Sequence, residues 1–293
     1  MTINASASPP ECFDGPCEPD SKFVCWNCPI RPLDPGDIFL SDQCKAMTWP
    51  HLKVFFVING TTPTKAFLRA GINRFLMSAY SIKYQQAGGP GTLSLLSGHE
   101  WILDSGMISA WKKGRRDWMF KQDYIAELAR QLKPTYVTHL DIPVEKHLLN
   151  KNGMSRSEAI ERTVENARIF MDSDVGDATK IFTLQGWTIT DYLDCLDSFA
   201  DFGIVDECHK GRARLGVGTM CLRKPGQGLF GIARSIRRKT EGISLHIFGV
   251  GQIAYQKRLS EMGVDSTDTG STLIQWAFSE RYSRNMQGQE LID

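Results

Sequence analysis

Two aspartates carry the strongest chemical signal in this chain. Trp101-Ile102-Leu103 is an apolar run, and Asp104-Ser105-Gly106 turns out of it. Far downstream, Gly263-Val264-Asp265-Ser266-Thr267 leads into Asp268. A carboxylate at the exit of a buried parallel strand sits where barrel enzymes place their reacting groups. Apolar walls raise the pKa of such a group and suit it to proton transfer, whereas an ionised carboxylate can attack an electrophilic carbon. Asp268 is expected to be a nucleophile and Asp104 its acid/base partner. Asp-Ser-Gly is also ordinary turn chemistry, so spacing alone leaves a capping role for Asp104 open.

Other polar residues fall at comparable places. Asp141 follows Tyr136-Val-Thr-His-Leu140 and precedes Ile142-Pro143. The proline imposes an extended exit and turns the carboxylate away from a helix start. Such a group suits the amide and amine edge of a ligand. Gln185, after Ile181–Leu184, can donate and accept at once, which suits a heterocycle carbonyl. Gly216-Val217-Gly218 offers backbone N–H groups and close approach by a flat ligand. Phe248 and Tyr80 supply stacking surfaces. Together these describe a pocket for a planar ring with polar edges. His139 and His246 lie inside strand runs and read as packed core residues.

The elements that must position these groups alternate. Strand-like runs are expected at Lys53–Ile58, Arg74–Ala79, Glu100–Leu103, Tyr136–Leu140, Lys180–Leu184, Ala213–Val217, Ser244–Phe248 and Val264–Thr267. Helical spacing falls at Thr64–Ala70, Asp117–Leu132, Ser155–Met171, Thr188–Phe202, Gly228–Thr240 and Gln252–Met262, with Thr272–Ser279 after the last strand. Ser155-x-x-Glu158 is a capping box. Eight strands in βα order point to a closed (β/α)8 barrel of the TIM type in the α/β class, with a doubly wound sheet as the rival. Polar residues at nearly every strand exit, namely Asn59, Tyr80, Asp104, Asp141, Gln185, Gly218, Gly249 and Asp268, favour the barrel. Its single mouth gathers all of them.

The chain has 293 residues and 42% hydrophobic content, enough for one large folded domain over 51–293. Residues 1–50 differ in texture, being rich in Pro, Asp, Ser and Cys. Five of the eight cysteines lie there. Cys25-Trp-Asn-Cys28 has zinc-knuckle spacing, Cys12 and Cys17 are candidates to complete a four-sulfur site, and Cys44 and His51 are spare candidates. The other reading is a loose arm with free thiols. A structural zinc is the one cofactor expected, and no organic cofactor is. No apolar run reaches membrane-span length and no secretory signal is evident, so a reducing cytoplasm is expected. Net charge is +1, which excludes a global nucleic-acid signature. Local basic stretches occur at Lys112-Lys113-Gly114-Arg115-Arg116 and at Arg234–Lys239, each of which is also consistent with a solvated face.

The ordered set Asp104-Ser105-Gly106, Leu140-Asp141, Leu184-Gln185-Gly186, Leu215-Gly216-Val217-Gly218, Phe248-Gly249-Val250-Gly251 and Gly263 to Asp268 resembles the tRNA-guanine transglycosylases. That family carries DSGG, FDE, VQGG, IGGL, MGVG and GVDMFD in this order on a (β/α)8 barrel, and exchanges guanine in a polynucleotide for a 7-deazaguanine. The resemblance implies that Asp268 attacks the ribose anomeric carbon and Asp104 moves the proton. It implies that Asp141, Gln185 and the Gly216, Val217 and Gly218 backbone bind the base beside Ser105. Phe248 would cover the base where the family usually has methionine. Met107 replaces the second glycine of DSGG, and Thr269 follows Asp268 in place of cysteine. The sequence ends 25 residues beyond Asp268 (293 − 268) with no cysteine there, whereas tRNA-type members carry a zinc motif in that region. This shortened form is similar to the DNA-modifying DpdA branch of phages and bacterial genomic islands. For that branch the implied partners are guanine sites in DNA and 7-cyano-7-deazaguanine (preQ0) or a derivative. Lys112, Lys113, Arg115 and Arg116 follow Asp104 by one short loop, and Arg223 and Lys224 follow Gly218, so both sets are expected to contact phosphates. A minimal tRNA enzyme, a glycoside-type hydrolase and a zinc-containing nucleic-acid binder are the alternatives.

Overall fold

Strands buried on both faces tend to be almost continuously apolar, and here strands that are mostly of that kind close into a ring, the last of them, Ser-Thr-Asp-Thr at 266–269, being polar though buried. The computed structural model describes residues 51–69, 71–85, 89–221, 223 and 228–270. Within them β1 (Lys53–Val57), β2 (Arg74–Ser78), β3 (Glu100–Asp104), β4 (Tyr136–Thr138), β5 (Thr179–Leu184), β6 (Ala213–Val217), β7 (Leu245–Ile247) and β8 (Ser266–Thr269) form a closed barrel. Every neighbouring pair is parallel, including β1 with β8. The doubly wound alternative is thereby excluded. The expected arm at 1–50, with Cys12, Cys17, Cys25, Cys28 and Cys44, lies outside the described residues. So do Lys224 and the helix expected at Thr272–Ser279.

Side chains alternate across a strand with period two, so one face of each strand lines the barrel interior. Phe55, Leu76, Ile102 and Ile181 form a separate buried cluster there, with Tyr136 and Phe248 packed on it. Two residues further along the same strands stand Ser78, Asp104, Thr138 and Thr183. Apolar packing therefore fills part of the lower lumen, beside the buried side chains of Arg214 and His246, and the layer above it is polar. Below, Glu100 accepts from Lys53 (2.7 Å), Tyr136 (2.7 Å) and Arg74 (2.9 Å), closing the floor. The larger core lies between the strands and the outer helices, around Phe75, Trp111, Trp118, Phe170, Phe182 and Phe199.

The helices follow local rules. Ser155 and Glu158 exchange bonds, Glu158 N donating to Ser155 Oγ (3.2 Å) and Ser155 N to Glu158 Oε2 (2.7 Å). Their capping box opens the helix Arg156–Asp172. Thr188 and Asp191 form a second box before Ile189–Asp201. The single helix expected over Asp117–Leu132 is in fact two pieces. A 3-10 turn spans Arg116–Phe120 and a helix spans Gln122–Leu132. The break occurs because the Trp118 indole donates to the Ser105 carbonyl (2.9 Å), which pins the turn to the strand exit. Among the described residues no helix is long and apolar enough to cross a membrane.

Candidate active site

Asp104 and Asp268 both rise from the C-terminal ends of barrel strands, and each is held by a glycine amide. Gly106 N donates to Asp104 Oδ2 (2.9 Å), and Gly249 N donates to Asp268 Oδ1 (2.8 Å). Both glycines have positive φ, +74° and +76°. That backbone conformation is costly for residues with a Cβ. Space forbids one as well, since a Cβ on Gly106 would collide with Ser78 and Tyr80, and one on Gly249 with Cys221. The turns are built so that a backbone N–H reaches back to the carboxylate.

The two acids differ in environment. Burial pushes the Asp104 carboxyl up to about 7. The charge of Asp141 adds to this, the Gly106 amide opposes it, and the charge of Asp268 adds again. A group poised there exchanges protons near neutral pH. Asp268 is 6% exposed and accepts a second bond on Oδ1 from His246 Nε2 (3.2 Å). Among the described residues no hydrogen bond reaches its Oδ2. Among the described residues one oxygen is anchored and the other makes no hydrogen bond.

Beside Asp104 the residues expected to read a base form one network. Ser105 Oγ donates to Asp141 Oδ1 (2.9 Å), and Gln185 Nε2 donates to Asp141 Oδ2 (2.6 Å). Thr219 Oγ1 in turn donates to Gln185 Oε1 (2.5 Å). Burial raises the Asp141 carboxyl above its ordinary range, against the lowering effect of Ser105 and Gln185. Gly216, Val217 and Gly218 are buried at the end of β6. Gly218 packs directly on the Gln185 amide, and Gly216 on Phe248 and Thr183. Phe248 lies edge-on to His246, with ring centroids 4.3 Å apart. Thr219 has φ +54°, a strained conformation of the kind that gathers at functional sites.

The basic residues divide. Lys112, the last residue of the helix Met107–Lys112 that leaves the Asp104 turn, is exposed, as are Lys113 and Arg116 after it. Arg115 is bonded to Asp117 (3.1 Å) and Tyr84 (2.8 Å). Arg223 donates to the carbonyls of Thr219 (3.0 Å), Gly186 (3.2 Å) and Trp187 (2.9 Å), tying the loops after β5 and β6 together. The second basic stretch belongs to the opposite end of the barrel. There Arg237 bonds Asp265 (3.1 Å) and the Ile243 carbonyl (2.7 Å), and Lys239 bonds Asp197 (3.0 Å).

Two residues of the mouth escape a reading of the sequence. His139 is a packed core residue as expected, fully buried among Phe170, Phe182 and Phe199. His246 is equally buried, but it touches Asp268. Its partner lies 22 positions away across the β7–β8 register, which no local spacing reveals. Glu145 is 2% exposed, and neither of its carboxylate oxygens has a hydrogen-bond partner among the described residues. Burial raises its carboxyl. The only sequence hint is an acidic residue two positions after Pro143, just before the helix Lys146–Asn152. A cavity of about 340 Å³ opens between the loops after β6 and β7, bordered by Cys221, Arg223, Gly249 and Gly251. Among the described residues no group of three or more His, Cys, Asp or Glu side chains is placed to hold a metal ion.

Comparison with known proteins adds a family. A family model described as DpdA, DeoxyPurine in DNA protein A, matches residues 62–290. No curated protein matches the chain. Among solved structures, a protein described as a lyase/mutase from Burkholderia cenocepacia J2315 aligns with TM-score 0.51 at 13% identity, over 87% of this chain and 90% of that one. A 2,3-dimethylmalate lyase of the PEP mutase/isocitrate lyase superfamily aligns with TM-score 0.48 at 12% identity, over 82% and 84%. At such identity the first shares the fold alone.

Proposed function

The chain belongs to the DpdA family, and from that premise we propose that it exchanges guanine in DNA for a 7-deazaguanine through a covalent aspartyl-deoxyribose intermediate. One observation carries the proposal. Two carboxyls share one barrel mouth, Asp268 with one oxygen anchored and, among the described residues, the other unbonded, and Asp104 raised to about 7.

The steps balance on these two groups. Asp268 Oδ2 attacks the anomeric carbon of the target nucleotide as the bond from that carbon to the guanine nitrogen breaks. Asp104, protonated, delivers its proton to the departing base and becomes a carboxylate. The incoming deazaguanine gives the proton of its attacking nitrogen to Asp104. That nitrogen then bonds to the anomeric carbon, and Asp268 leaves as a carboxylate. Asp141 and Gln185 take the polar edge of each base, the Gly216–Gly218 backbone lies along it, and Phe248 covers a face. The target nucleotide must leave its stack, at a cost of a few kcal/mol. Phosphate contacts from Lys112, Lys113 and Arg116 offset part of it.

Nucleoside mass spectrometry tests this reading. The protein is incubated with matched DNA and tRNA and with 7-cyano-7-deazaguanine. Deazaguanine appearing in DNA is the expected result. Incorporation into tRNA alone would assign the chain a tRNA substrate, and release of guanine without incorporation would make it a hydrolase.

A further inference from the structure

A buried chain of hydrogen bonds runs up the lumen to Asp268, and its direction is fixed at its lower end. Arg214 of β6 is 7% exposed, and its Nη2 lies 3.0 Å from Ser266 Oγ. Ser266 Oγ lies 2.9 Å from His246 Nδ1. His246 Nε2 lies 3.2 Å from Asp268 Oδ1. Ser266 and His246 have no exposure at all. The guanidinium is seated over the Tyr136 ring at 4.7 Å, and the Tyr136 hydroxyl bonds Glu100 at the floor (2.7 Å).

A guanidinium has donors and no acceptor. Ser266 Oγ must therefore accept from Arg214. Burial lowers the His246 pKa against the opposing bond and charge of Asp268, with the Arg214 charge lowering it a little further, and in the neutral ring favoured by that shift one nitrogen donates and the other accepts. A bare Nε2 lone pair facing the Asp268 oxygen would be repulsive, whereas an Nε2–H there forms a charge-assisted bond. Nδ1 is then the acceptor, and the Ser266 hydroxyl beside it is the donor.

We infer that Arg214, Ser266 and His246 form a one-way relay that fixes His246 as the Nε2–H tautomer and so makes Asp268 Oδ2 the attacking oxygen. The inference rests on the reading of Asp268 as nucleophile, and it names three positioning residues for that step. With Oδ1 accepting from both His246 and Gly249, the carboxylate cannot rotate, and Oδ2 meets the sugar in one geometry. Loss of the relay frees the ring to take the other tautomer, which removes a donor from Oδ1 and blurs the angle of attack.

Nitrogen-15 NMR of histidine-labelled full-length protein near neutral pH reads the tautomer without any assay of activity, with the His246→Asn spectrum assigning the signals. Expected is a protonated Nε2 and an unprotonated Nδ1 at His246. The Nδ1–H tautomer, or a doubly protonated ring, would overturn the relay. Kinetics supply the second arm. Ser266→Ala should lower kcat for base exchange by about ten- to a hundredfold with KM for DNA within about twofold, and Ser266→Thr, which keeps the hydroxyl, should recover most of it. Unchanged kcat in Ser266→Ala would also overturn the relay. Failure of the wild-type protein to exchange any base would instead sink the functional reading, and the tautomer measurement is independent of that result.

Discussion

Gln185 donates to Asp141 across 2.6 Å, so the two side chains assigned to the polar edge of the base hold each other. A base that bonds to both must replace this contact with bonds of its own. Asp141→Asn keeps the shape but turns one acceptor into an N–H, which then faces the Ser105 or Gln185 donor. We expect KM for the incoming base to rise by about ten- to a hundredfold, with stability changed by less than about 2 kcal/mol. Unaltered base affinity in calorimetry would remove Asp141 from the recognition site.

Asp104 makes a prediction about pH. Its folded-state pKa is raised, to about 7 against an ordinary 3.8. The stability it contributes is therefore fully present below about pH 4 and is lost as pH rises through about 7. Asp104→Asn removes that penalty while its oxygen still accepts from Gly106. It should raise unfolding stability at pH 8 by roughly 1–3 kcal/mol, and by little at pH 4. The same variant should abolish exchange. In the wild-type protein the guanine-release step should slow as pH rises past about 7, because the acid form is lost. Equal stability changes at both pH values would contradict a buried charge at Asp104.

Gly249 is the steric test of the anchoring turn. Gly249→Ala places a Cβ against Cys221 at φ +76°. Stability should fall by about 1–3 kcal/mol, and exchange should fall further than unfolding accounts for, since the amide that bonds Asp268 is displaced. Exchange at the wild-type rate in the folded fraction would show that the Gly249 bond is dispensable.

Lys112, Lys113 and Arg116 are exposed, whereas Arg223 is bonded to three carbonyls. The triple alanine variant of the first three should weaken DNA binding and flatten its salt dependence by about 0.7–0.9 for each phosphate that goes unneutralised. At saturating DNA, kcat should hold. Arg223→Ala should act chiefly on stability. A salt slope unchanged in the triple variant would move the DNA path elsewhere.

Much of this architecture is legible in the sequence because most of the strands are apolar runs bounded by turns, and each expected strand has its counterpart in the barrel. The boundaries are harder. The apolar pattern puts β8 at Val264–Thr267, but it spans Ser266–Thr269. Val264 is still bonded back to Leu259 of the preceding helix (3.0 Å), so the strand starts later, and Asp268 lies within it. The helices Lys146–Asn152 and Ile204–His209 leave no mark, since six or seven residues span too few turns to show a period. Within the site, Asp104, Asp141 and Gln185 stand out because each follows an apolar run, and Asp268 because it closes the Gly263 to Asp268 stretch. His246 is visible only as a core residue, because its role depends on strand register. Arg223 looks like a surface cation, because nothing local announces three carbonyls from two loops.

The central claim is that Asp268 Oδ2 bonds to a sugar. Protein mixed with guanine-containing DNA and quenched rapidly in acid, without an incoming base, should yield by mass spectrometry a peptide containing Asp268 that carries the DNA strand through its deoxyribose, and Asp268→Asn should give none. A sugar adduct on any other residue, or undiminished base exchange by Asp268→Asn, would contradict it.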